Sequence, residues 1–179
     1  MRTLKRTSVP VLVFALLSTF STTTVAQSPA QNTFDRMKTL TGEWQGSVTT
    51  TPAEISHNMQ GSTLHVTLRT TSSGNAILHE MNSPGMKDDP ITMLYLDNDR
   101  LLLTHYCDAG NRPRMVAHAS PDGRTIEFTF LDLAGPNEHG HMDHAIFTFI
   151  DANHHTEDWT YMLPGDKPML AHFDLTRAN

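Results

Sequence analysis

From residue 43 onward the chain alternates apolar and polar residues with a period of two. Leu64, Val66 and Leu68 alternate with His65, Thr67 and Arg69, and Ile126, Phe128 and Phe130 with Thr125, Glu127 and Thr129. Successive side chains of a strand face opposite sides, so this spacing predicts strands with one buried face. Ten such runs occur, at 43–50, 62–70, 76–82, 91–96, 100–107, 113–119, 124–131, 142–150, 156–162 and 168–177. Turn residues separate them, among them Asp97-Asn98-Asp99 and Pro121-Asp122-Gly123. One earlier segment has helical spacing. Phe34, Met37 and Leu40 share a face, predicting a helix over 33–40 capped by Asn32 or Thr33 and ended by Gly42. Ser28 and Pro29 before it suit a short mobile tail.

Ten consecutive strands with short connections and almost no helix predict an all-β fold, a closed antiparallel up-and-down barrel. Closure removes the two exposed edges of so long a meander; a sandwich is the alternative. The expected core includes Trp44, Leu64, Val66, Leu68, Ile126, Phe128, Phe130, Phe173 and Leu175. Alternate connections of a meander lie at the same end. One end collects those near 51–61, 83–90, 108–112, 132–141 and 163–167, which are longer and rich in His, Met, Asn and Asp. The other end collects tight turns and the helix. The first is the expected mouth, the second the closed base.

The first 26 residues have a different plan. Arg2, Lys5 and Arg6 precede an apolar run from Val11 to Leu17, then a Ser/Thr stretch and Thr24-Val25-Ala26 before Gln27. This is the order of a secretory signal peptide at 1–26, and the run is too short for a membrane span. Residues 27–179 then form one domain, exported to the periplasm or secreted. Without the leader, 10 basic residues face 19 acidic ones, a balance that does not attract nucleic acid. A lone cysteine, Cys107, excludes an internal disulfide and any multi-cysteine metal site. No nucleotide-binding glycine loop, serine-nucleophile elbow or zinc-protease motif occurs.

Thr41-Gly42-Glu43-Trp44-Gln45-Gly46 follows the helix and opens the first strand. Gly-x-Trp at this place resembles the opening of calycin barrels, the lipocalins and their relatives. The resemblance implies that Trp44 closes the base with a last-strand cation over it, here Arg177. Leu40 to Gly46 is also similar to the opening of nitrobindin-like ten-stranded barrels and related secreted proteins of unknown function. The stretches from Asp99 to Cys107 and from Gly110 to Met115 resemble a recurring segment of the latter. The nitrobindin likeness implies a haem held by a His near the last strand, and His172 is the match. His172 alternates opposite to Phe173, Leu175 and Arg177, so it faces solvent if they face inward, which disfavours haem.

The sequence holds 11 histidines and 10 methionines. Histidine suits a divalent metal, and His139, His141 and His144 cluster at the mouth with Asp143 beside them. They are the candidate metal ligands, with His105 or His79 as a fourth; the competing reading is a solvated loop. His154 and His155, about 30 Å along the same strand, read as turn surface. His79, His105, Tyr106, Arg114, Trp159 and Tyr161 are the candidate ligand-binding residues around the mouth. His105 and Tyr106 cannot both line the interior. Trp159 and Tyr161 share a face with Glu157, either around a ligand cavity or in a filled core with Glu157 at its edge. Asp88-Asp89 and the Asp97/Asp99 pair lack calcium-ligand spacing and read as solvated loops. Cys107 reads as an inert thiol. The leading function is binding of a small apolar or amphipathic molecule, without catalysis. The alternatives are an enzyme using His105, Tyr106 or His144 as acid–base groups, aided by a metal, and an interaction module with a filled barrel.

Overall fold

The computed structural model describes residues 26–52, 62–83 and 90–178. The leader up to residue 25 and the Asp88-Asp89 pair lie outside them. The elements are α1 (Pro29–Lys38), β1 (Gly42–Thr51), β2 (Thr63–Thr71), β3 (Ala76–Asn82), β4 (Ile91–Asp97), β5 (Arg100–Tyr106), β6 (Arg112–Ala119), β7 (Thr125–Ala134), β8 (His141–Asp151), β9 (His154–Leu163) and β10 (Lys167–Arg177). Each strand pairs antiparallel with the next, and β1 pairs with β10 to close a ten-stranded barrel. No helix among the described residues is long and apolar enough to cross a membrane.

The period-two faces turn inward. Trp44, Val48, Leu64, Val66, Leu68, Leu94, Leu101, Leu103, Ile126, Phe128, Phe147, Phe173 and Leu175 form the buried core. Closure at β1·β10 depends on Gly46 opposite Leu175. A Cβ there would lie 1.7 Å from the Asp174 carbonyl oxygen, so only glycine lets the two backbones approach.

The helix starts four residues earlier than its spacing suggested. Ser28, expected in a mobile tail, is the N-cap and its hydroxyl accepts from the Gln31 amide; Pro29 follows in the first turn. Proline is preset for that position and has no amide to leave unpaired. Phe34, Met37 and Leu40 pack into the core. Arg36 stacks over Phe149 at 4.1 Å, and a groove beside the helix is lined by Arg36, Ala152 and Arg177. The helix therefore covers the end with the tight turns, the base.

Arg177 fastens that end. Its guanidinium donates to the carbonyls of Thr39, Thr41 and Ala152 and lies 4.3 Å over the Trp44 ring, while the Trp44 indole donates to Leu40 O at 2.7 Å. The cation–ring contact is worth about 0.5–2 kcal/mol. One guanidinium thus joins the helix end, the first strand and the β8–β9 turn.

Phe130 departs from the expected core and is 40% exposed. The β6·β7 ladder shifts between Arg114 and Met115, leaving one extra residue in β7 between Phe130 and Asp132. The bulge turns the strand, and the Phe130 ring rests on His141, centroids 4.9 Å apart.

Candidate functional site

Most of the barrel interior is apolar, but a polar layer crosses its middle. His79 on β3, Thr92 on β4 and His105 on β5 are register partners on neighbouring strands and all are buried. His155, Glu157 and Trp159 alternate along β9 with the partly exposed Thr156 and Asp158, and are buried like His79, Thr92 and His105. Their strand phase, rather than any local motif, puts these six side chains inside.

Glu157 is the hub. Its carboxylate has no exposed surface and accepts three hydrogen bonds. His79 Nε2 donates at 3.0 Å to Oε2 and lies 3.2 Å from Oε1, His155 Nε2 donates to Oε1 at 3.0 Å, and Trp159 Nε1 donates to Oε2 at 2.9 Å. Burial pushes the carboxyl up, but the His79 charge and the bonds from His155 and His79 outweigh burial and hold it well below its ordinary range. The Nδ1 atoms of His79 and His155 are buried without a partner among the described residues.

His105 shares a hydrogen bond with Thr92, Nδ1 to Oγ1 at 2.9 Å, and packs 5.9 Å from the Trp159 ring. Burial and the neighbouring His79 lower it from 6.5 to about 4. It is therefore a neutral imidazole at physiological pH. Toward the mouth, the Tyr161 hydroxyl donates to His139 O at 3.0 Å, and burial next to Cys107 and Asp108 raises it to about 12. Burial also raises the Cys107 thiol. Asn111 donates to the carbonyls of Pro136 and Gly140, tying two mouth loops together.

Of the six candidate ligand-binding residues, the fold brings His79, His105 and Trp159 together inside the barrel and puts Tyr161 at the rim. Tyr106 and Arg114 fall elsewhere. Tyr106 is 44% exposed, because its neighbour His105 takes the inner face. Arg114 is spent in an exposed ion pair, with Nε donating to Asp132 at 2.7 Å.

The expected metal set is not assembled. His139 is exposed, His141 Nδ1 bonds Asn137 Oδ1 at 2.8 Å, and His144 Nε2 bonds Glu127 at 2.7 Å. The β8·β9 ladder shifts between Met142 and His144, which puts His141 and His144 on one face, opposite Met162 and Thr160, but each ring bonds a partner of its own. Among the described residues no three His, Cys, Asp or Glu side chains converge as metal ligands. His172 bonds Asp158 at 2.6 Å and is exposed. A haem inside the barrel does not fit on this residue.

His155 is the residue the sequence reading misplaced, and Glu157 the one it left open between the interior and an edge. His155, read as turn surface, is fully buried against Trp44, ring centroids 4.2 Å apart. Glu157 lies at the centre of the network and not at an edge. The turn is tighter than supposed: Asp151 Oδ1 accepts from the Asn153 amide and β9 begins at His154. Extending the alternation of Tyr161, Trp159 and Glu157 by one step reaches His155.

These features define a class: a closed ten-stranded antiparallel barrel, plugged by a helix at its base, with an ionisable layer inside. No family profile matches the chain, and no curated protein does. Among solved structures it is similar to a protein of unknown function from Nostoc punctiforme in the DUF3598 family. That match has 8% identity and a TM-score of 0.26, and covers 82% of this chain and 99% of the other.

Proposed function

We propose that the protein is an exported barrel that binds a small apolar or amphipathic molecule in the mouth half of its interior. The observation that carries the reading is His105, a buried neutral imidazole on the inner wall whose bond to Thr92 is the one it makes among the described residues. A polar group of this kind on an aromatic and aliphatic wall orients a small ligand by one hydrogen bond while burial supplies the affinity. Trp159 lies under it as a flat floor, and the inward side chains of Ala171 and Ala145 beside Trp159 are small. The base is sealed by α1, Trp44 and Arg177, so entry is from the end of Tyr161 and Cys107. Export rests on the charge, apolar run and small-residue site of the first 26 residues.

Native mass spectrometry of protein from its own host tests both parts. The expected polypeptide begins at or near Gln27 and carries a small non-covalent mass. A bare polypeptide from every preparation contradicts the binding reading, and a retained leader contradicts export.

A further inference from the structure

Three donors from two strands close on one buried carboxylate, which fixes their protons. An ionised carboxylate only accepts. His79 and His155 therefore both present Nε2–H to Glu157, and Trp159 adds its indole N–H. The remaining ring atoms, Nδ1 of His79 and Nδ1 of His155, lie in the interior without partners among the described residues. With both bare, the cluster carries one net negative charge away from water. With one protonated it is neutral, and with both protonated it carries a net positive charge. A buried charge is tolerated only when paired.

We propose that this cluster is an internal proton-binding site, holding at neutral pH one proton on Nδ1 of His79 and leaving His155 as the neutral Nε2–H tautomer. His79 addresses both carboxylate oxygens, at 3.0 and 3.2 Å, whereas His155 addresses one. The Arg177 guanidinium lies over the Trp44 ring that His155 packs against, so a charge on His155 would face a cation. Around His79 stand Phe147 and Trp159, with Thr92 beside it in register and His105 next in the row. Tyr161 is the other titratable group on the inner face of β9. Charged groups nearby pair with each other rather than with the cluster: Glu127 with His144, Asp158 with His172, Asp174 with His154, and Glu80 with Arg69.

The site deepens the binding reading, since this layer is the floor beneath the proposed ligand, but its test needs no ligand. Histidine labelled with nitrogen-15 in the full chain at pH 7 reports each ring nitrogen by long-range proton correlation. The expected spectrum shows one interior histidine with both nitrogens protonated, in contact with Trp159 and Phe147. A second, in contact with Trp44, has one protonated and one bare nitrogen. Bare nitrogens on both rings that bond Glu157, full protonation of both, or a proton on the one facing Trp44 would each overturn the assignment; His105, in contact with Trp159 but bonded to Thr92, is the third interior ring and is expected neutral. In Glu157→Gln the His79 signal shifts to the neutral pattern if that variant folds; an unchanged imidazolium there also overturns it. If it does not fold, the spectrum of the unaltered protein decides.

Discussion

An ionised carboxylate removed from water is stable only inside a shell of donors, and Glu157 has three of them. Glu157→Ala orphans three N–H groups at once and is expected to cost about 3–5 kcal/mol, read as a lowered urea midpoint. His154→Ala, which breaks an exposed pair with Asp174, should change stability by no more than about 1 kcal/mol. His105 sets a second dependence, on pH. Its folded value, about 4, lies below its ordinary 6.5. It therefore adds stability that is fully present above about 6.5 and is lost as pH falls toward 4, on the order of 3 kcal/mol. Glu157, also depressed, adds stability that is present above its ordinary range and lost at lower pH. Urea midpoints should fall steadily from pH 7 to 4, and His105→Asn should flatten the upper part of that slope. A wild-type midpoint independent of pH would contradict the buried neutral imidazole.

At the scale of elements, the strands were legible because one face of each packs in a single core, which enforces a period of two. The errors fall where a bulge or a cap breaks periodicity. Phe130 is the last regular partner before the β7 shift, opposite Met115, and the metal set failed because His141 and His144, brought to one face by the β8 shift, bond Asn137 and Glu127 instead. The start of α1 was hidden because Ser28-Pro29 looks like tail and acts as cap. The polar layer was only half legible. Trp159 and Glu157 showed a shared face, but His79 and His105 come to them from strands far away in sequence, and period alone does not say which residues meet across a barrel. Two substitutions probe the elements that close the molecule. Gly46→Ala forces β1 off β10 at the seam and should cost about 1–3 kcal/mol or more. Met37→Ala in α1, a fully buried side chain, should cost about 2–5 kcal/mol. Thermal unfolding of both variants measures this, and a Gly46→Ala protein as stable as its parent would contradict the close approach of the two strands.

For the whole molecule, the two ends differ in what they do. The base is cross-tied by Arg177, Trp44 and the helix, and the mouth half carries the neutral imidazole, the rim tyrosine and small inward residues. The proposed binding draws on this asymmetry, a rigid floor beneath the half that carries His105. The most direct measurement is native mass spectrometry of the host-purified protein beside its Ala171→Trp variant, whose added ring stands in register with Trp159 where the ligand is proposed to lie. The account predicts a small bound mass on the parent and none on the variant, with both folded by circular dichroism. A parent that carries nothing, or a variant that keeps the same mass, would contradict it.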